Sequence, residues 1–298
     1  MDISPERLSN RNPVLIASLL LVGSFALLYW RVIARLAHDW VADGNYSHGF
    51  LIIPLSLYFA WERRARLRTV PRHPSAFGLV VVIGSVAVLL AGLMGAELFL
   101  TRVSIIGVIA GAILFLFGWP TLRVLALPVL FLLLMIPIPA IILNQITFPL
   151  QLLASQVGES TLRAIDVPVL REGNVIVLAN VSLEVAEACS GIRSLISLLT
   201  LGIVYGYFVD SRFTVRLVVA LSTIPIAIAA NGTRVAGTGV AAHYWGPQVA
   251  EGFFHTFSGW LMFVVAFFML FVVTKIIVRV APRPSRGILP ESIVAVRG

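Results

Sequence analysis

The 298 residues are 59% hydrophobic and 12% charged, with a mean hydropathy of +0.97, a balance that excludes an ordinary soluble domain. The formal net charge of +8 comes from arginines divided among short loops, which excludes a folded basic face for nucleic acid. A single cysteine, Cys189, excludes an internal disulfide framework.

In chain order, apolar runs at 13–30, 49–61, 76–96, 103–120, 123–143, 190–209, 215–231 and 257–280 predict eight transmembrane helices. A hydrocarbon core of about 30 Å takes about 20 helical residues to cross. The run at 49–61 reaches that length only by borrowing Asn45 to His48. Pro128, Pro137 and Pro139 should bend the run at 123–143, because proline removes a helix hydrogen bond. The first run is too long for a cleavable signal and lacks a small-residue cleavage site, so it is expected to stay as an anchor. Eight crossings put both termini on one face. Basic residues are retained in the cytoplasm during insertion. Arg63, Arg64, Arg66, Arg68 and Arg72, then Arg212 and Arg216, then Lys275, Arg279, Arg283 and Arg286 all fall on the face shared by Met1 and the tail at 281–298. One membrane domain is expected, embedded in a lipid bilayer.

The largest outer segment, 144–188, changes period midway. Ile146, Leu150, Leu153, Val157 and Ile165 recur at helical spacing opposite Gln151, Ser155, Gln156, Glu159 and Arg163, which predicts a helix lying in the interface. After Pro168, Val175 to Leu178 and Val181 to Ala186 are β-branched runs. Val181, Leu183 and Val185 alternate with Ser182 and Glu184, which predicts a β-hairpin. The expected fold is therefore all-α and polytopic, with a small outer cap of one helix and one hairpin. The hairpin must lie outside the bilayer, since lipid offers unpaired backbone groups no partner.

The hairpin runs into Glu187-Ala188-Cys189-Ser190-Gly191-Ile192-Arg193 and then into the sixth span. Cys189 would sit at a helix N-terminus, where unpaired N–H groups carry about half a positive charge, and Arg193 lies one turn on. Both favour thiolate over thiol. Glu184 and Glu187 oppose this if close, or orient a partner histidine. A lone cysteine is more often a small buried hydrophobe. Arg234, in Asn231-Gly232-Thr233-Arg234 just beyond the seventh span, can pair with a carboxylate or steady an oxyanion, and Asn231 can add an amide donor. Its position equally suits an arginine snorkelling at the membrane edge. His255 opens the eighth span, and an imidazole titrating at about pH 6.5 can take a proton from a thiol and return it to a leaving amine. Three separate segments thus carry a nucleophile, a base and an anion stabiliser to one face. His48, beside Tyr46, lies on that face as a groove residue or an interfacial anchor.

Other classes fit less well. A polymer transporter would carry ionisable groups within its spans, whose interiors are almost free of them here. A metal-dependent protease would draw on His38, His48, His243 and His255, yet no two stand three or four residues apart and no His-Glu-x-x-His run exists. A serine mechanism through Ser258 or Ser190 lacks a Gly-x-Ser-x-Gly context. A non-catalytic scaffold would account for composition and topology equally well, and it predicts that Cys189, Arg234 and His255 are individually replaceable.

Ala-Cys-Ser-Gly-Ile-Arg-Ser at 188–194, Asn-Gly-Thr-Arg-Val at 231–235, His-Thr-Phe-Ser-Gly-Trp at 255–260 and Asn-Tyr-Ser-His-Gly-Phe-Leu-Ile-Ile-Pro-Leu at 45–55 resemble the exosortase/archaeosortase family of membrane cysteine transpeptidases. Each motif is weak alone, but their order, spacing and shared sidedness make the set specific. The resemblance implies a bacterial inner-membrane enzyme with cytoplasmic termini and a periplasmic site, linked to exopolysaccharide and cell-surface assembly. Its substrates would be membrane-anchored proteins with a PEP-CTERM signal, that is, Pro-Glu-Pro, an apolar span and a basic tail. By the same resemblance Cys189 is the nucleophile, His255 the general acid/base and Arg234 the oxyanion or substrate stabiliser, with no metal or organic cofactor. Arg193, Asn231, His48 and Glu187 are supporting positions. The motif glutamate would meet Arg234, Arg193 or Arg171.

Overall fold

Long runs of leucine, valine and isoleucine in lipid leave the backbone no partner but itself, and helices result. The computed structural model describes residues 11–179, 181–185, 192–246, 248 and 253–281. In order they form α1 (Arg11–Ala42), α2 (Gly49–Glu62), α3 (Arg64–Thr69), α4 (Phe77–Met94), α5 (Leu98–Phe117), α6 (Trp119–Phe131), a 3₁₀ turn (Leu132–Met135), α7 (Ala140–Ala164), β1 (Val169–Glu172), β2 (Val175–Leu178), β3 (Ser182–Glu184), α8 (Ile192–Val209), α9 (Phe213–Trp245) and α10 (Phe253–Val280). Six described helices, in α1, α4, α5, α7, α9 and α10, are long and apolar enough to cross a membrane; Gly49–Glu62, Trp119–Met135 and Ser194–Val209 are apolar but shorter. The chain divides into two compact units between Leu143 and Asn144.

In the first unit α4 and α5 pack as a close pair. A Cβ on Gly111 would come within 2.8 Å of the Val82 side chain, so glycine permits the approach. Tyr29, Leu89 and Ile105 join α1 to this pair, and the Tyr29 and Ser104 hydroxyls share a hydrogen bond of 3.0 Å. Arg102, only 3% exposed on α5, pairs with Asp39 on α1.

The expected bend lies at the end of α6, and its chemistry follows from the prolines. Pro139 carries no N–H, so the Met135 carbonyl lacks the donor a continuing α-helix would supply, and Pro137 withholds from the Leu134 carbonyl the donor that the 3₁₀ turn would supply next. Two side chains replace them. The Trp40 indole donates to the Met135 carbonyl at 2.9 Å, and His48 Nε2 lies 3.1 Å from the Leu134 carbonyl. That oxygen can only accept, so Nε2 carries the proton. The Ser56 hydroxyl adds a bond of 2.8 Å to the Pro128 carbonyl, tying α2 to α6.

His48 lies just before α2, at its outer end, and burial pushes its pKa below the ordinary value, with the Leu134 carbonyl pulling partly back. An unfolded chain would titrate at about 6.5, so below that pH the unfolded state takes up the proton first and stability falls. This contribution is present above the unfolded pKa and is lost as pH falls toward the depressed folded value. Thermal unfolding at a series of pH values should show that loss in the wild type. His48→Gln should flatten it, and an unchanged slope would rule His48 out as its source.

The second unit has two cores joined by α9. Leu198, Val219, Ile226, Ala227, Ala230, Ala266 and Leu270 form one among α8, α9 and α10. Ala154, Leu162, Ile176, Leu178, Val185, Val235 and Ala242 form the other among α7, the sheet and the later half of α9. The sheet order is β1-β2-β3, antiparallel throughout. Gly173, at φ +64°, turns β1 into β2, a conformation that favours glycine. At the opposite end of the bundle Arg212 holds the Asp210 carboxyl below its ordinary pKa by hydrogen bonding, and it also donates to the Ala281 carbonyl at 3.2 Å.

Several boundaries differ from expectation. The helix predicted over 13–30 continues to Ala42, the one predicted to end at 231 runs on to Trp245, and β1 precedes the predicted hairpin. The segment predicted as an interfacial helix from residue 144 begins earlier, as part of α7 from Ala140.

Candidate active site

Asn231 to Arg234 lie within continuous helix in α9, where the two cores of the second unit meet. Ala230 belongs to the core shared with α8 and α10, and Val235 to the core shared with α7 and the sheet. Close packing holds this stretch in place. A Cβ on Gly232 would come within 2.7 Å of Val157, and one on Gly158 within 2.8 Å of Val235. The helix can therefore continue past the apolar run, because α7 and the sheet cover what lipid no longer does. Asn231 is 6% exposed. The Thr233 and Thr238 hydroxyls are bonded back to the Ala229 and Arg234 carbonyls at 2.9 and 3.0 Å.

Arg234 reaches α10. A Cβ on Gly259 would lie 3.4 Å from its guanidinium carbon. His255 is four residues before Gly259, so the two positions share one face of α10 about one turn apart. The described part of His255 is its place in the first turn of α10, and that of Arg193 its place in the first turn of α8; their side chains lie outside the described residues. Cys189 and Glu187 also lie outside them.

Both flanks of the cysteine segment are described. On one side Val185 is 3% exposed in the core that contains Val235, its N–H donates to the Asn174 carbonyl at 2.9 Å, and the Asn174 amide donates to its carbonyl at 3.3 Å. On the other, Ile192 opens α8, which packs against both α9 and α10. The chain thus enters the Cys189 segment from the core that contains Val235 and leaves it into the helix that packs against both α9 and α10.

Arg171 is committed elsewhere. Its Nε donates to Glu159 at 2.9 Å and its Nη1 to the Gly173 carbonyl at 2.9 Å, while Arg163 meets Glu159 at 2.8 Å. This network ties β1 to α7. His48 sits in the first unit, on the Leu134 carbonyl. Among the described residues no group of three or more His, Cys, Asp or Glu is placed to hold a metal ion.

Residues 40–272 match the family model described as transmembrane exosortase. The chain belongs to the transmembrane exosortase family. No curated protein and no solved structure gave a match. Membership makes it a multi-pass membrane protein of transpeptidase type acting on protein substrates, and the match contains all four motifs that carry the resemblance. Within this transmembrane exosortase, motif reading did not anticipate that the Arg234 guanidinium lies against Gly259. Two motifs on separate helices gave no sign that these residues would touch.

Proposed function

We propose that this protein is a cysteine transpeptidase or protease that removes C-terminal PEP-CTERM-type signals from exported membrane-anchored proteins. The observation that carries this reading is the position of Arg234. It lies on α9 at the junction of two cores, against α10 one turn from His255, and Val185, four residues before Cys189 in the sequence, belongs to the core that contains Val235. In this reading all eight predicted spans cross the bacterial inner membrane, both termini are cytoplasmic, and the sheet with the later part of α7 forms a periplasmic cap. The link to exopolysaccharide assembly belongs to the same proposal.

The Cys189 thiol gives its proton to His255, and the thiolate attacks the carbonyl carbon near the Pro-Glu-Pro motif. Charge gathers on the carbonyl oxygen, where Arg234 and Asn231 supply N–H donors that water would otherwise supply less well in a dry site. The intermediate collapses, the C–N bond breaks, and the leaving amine takes the proton from His255. The product stays on Cys189 as a thioester. An acceptor amine, hydroxyl or water then attacks that carbonyl, gives its proton to His255, and releases the thiol. Arg193 and Glu187 flank the nucleophile and tune its charge, and His48 holds the outer end of the first unit. A substrate with its own apolar span explains why such chemistry sits among membrane helices.

The test is a reporter protein ending in Pro-Glu-Pro, an apolar span and a basic tail, co-expressed with the full chain. Shortening of this reporter is expected, together with loss of shortening when Pro-Glu-Pro is replaced by Ala-Ala-Ala or the span is deleted. Equal processing of all three reporters would contradict the proposed substrate class.

A further inference from the structure

We propose that Gly259 is the seat of the Arg234 guanidinium and sets its depth and orientation, a positioning role that rests on Arg234 as the anion stabiliser. A Cβ built on Gly259 would lie 3.4 Å from Cζ, 3.4 Å from Nη2 and 3.7 Å from Nη1 of Arg234. Near-equal distances to the central carbon and both terminal nitrogens mean that the glycine meets the plane of the guanidinium rather than its edge. The N–H donors of a guanidinium lie in that plane, so they spread across the surface of α10 instead of pointing into it. His255 begins the turn of α10 that ends at Gly259.

The backbone gives no reason for glycine at this position. Gly259 lies inside helix Phe253–Val280 without the positive φ that favours glycine, and glycine weakens a helix interior relative to alanine. The reason is steric. One methyl group would touch the guanidinium at ordinary contact distance, whereas a larger side chain would have to occupy the place the guanidinium fills. The effect of substitution should therefore be graded by size, with alanine tolerated and leucine not. Acting only through Arg234, Gly259 should matter only while the guanidinium is present.

The experiment measures kcat and KM on the purified full chain in detergent, using the reporter with the tripartite signal. Gly259→Ala should stay within about threefold of wild type, while Gly259→Leu should lower kcat by about a hundredfold with little change in KM, the scale of losing one oxyanion donor. Arg234→Ala with Gly259→Leu should be no slower than Arg234→Ala alone at extended reaction times. Thermal unfolding of each variant separates displacement from misfolding, and Gly259→Val supplies the intermediate step if leucine disrupts the fold. The proposal is overturned if the folded bulky variant works at wild-type rate, or if its loss persists in full without the guanidinium. Cys189→Ala, run alongside, keeps the two ideas apart. Processing by that variant defeats the cysteine mechanism, while the Gly259 variants and the double substitution judge the seat.

Discussion

Cys189→Ala is expected to abolish reporter shortening at matched membrane abundance, a loss of at least about a thousandfold, because the other partners cannot replace a nucleophile. No second cysteine exists to substitute for it. Cys189→Ser should fail almost as completely. A hydroxyl holds its proton far more tightly than a thiol, and no alkoxide comes within reach at neutral pH. Immunoblots of reporter size against the wild type, with enzyme abundance measured in the same membranes, check both variants. A scaffold predicts wild-type processing in each.

The second large effect is on stability and concerns the ion pair of Asp39 and Arg102. Its partners are unequally buried, with side-chain exposure of 30% for Asp39 and 3% for Arg102. Removing Asp39 leaves a guanidinium that cannot give up its proton, buried and without its countercharge. That loss is expected to cost about 3–5 kcal/mol. Two nearby carboxylates already serve the backbone, since Glu97 accepts from the Phe99 N–H at the start of α5 and Asp43 accepts from the Asn45 N–H. Removing Arg102 instead leaves a carboxylate that is 30% exposed at a cavity of about 570 Å³ which both partners line, so water reaches it more readily than the arginine. A smaller cost of about 1–3 kcal/mol is expected there. Unfolding of detergent-purified Asp39→Asn and Arg102→Met should therefore show the greater loss for the aspartate variant. Equal or reversed losses would mean that the pair is not organised around a buried arginine.

Hydropathy made the helices legible because lipid leaves few alternatives, but it located their ends poorly where packing takes over from lipid. The α9 helix passes through Asn231-Gly232-Thr233-Arg234 without stopping, since Val235 and Ala242 are buried against α7 and the sheet. That cover is tertiary and leaves no trace in the local pattern. Helix α1 likewise continues through Arg31, Arg35, His38 and Asp39, whose charges hide the packing of Leu36 and Trp40 behind them. Strand β1 escaped notice because Leu170 is exposed and Arg171 and Glu172 are polar, although Gly173-Asn174 is a recognisable turn signal. The prolines at 137 and 139 announced a bend, but not that Trp40 and His48 would answer the carbonyls they orphan. At the candidate site Cys189, Arg234 and His255 stood out by residue type and motif. Gly259 did not, because a glycine declares its purpose only when the side chain resting on it is known.

The most direct measurement is the intact mass of the purified full chain after brief incubation with the reporter and acid quenching. A covalent adduct equal to the chain plus the N-terminal portion of the reporter, released by hydroxylamine and absent from Cys189→Ala, is the expected result for a thioester on Cys189. Reporter cleavage that proceeds undiminished in Cys189→Ala, with no adduct on the wild type at any time, would contradict cysteine catalysis outright.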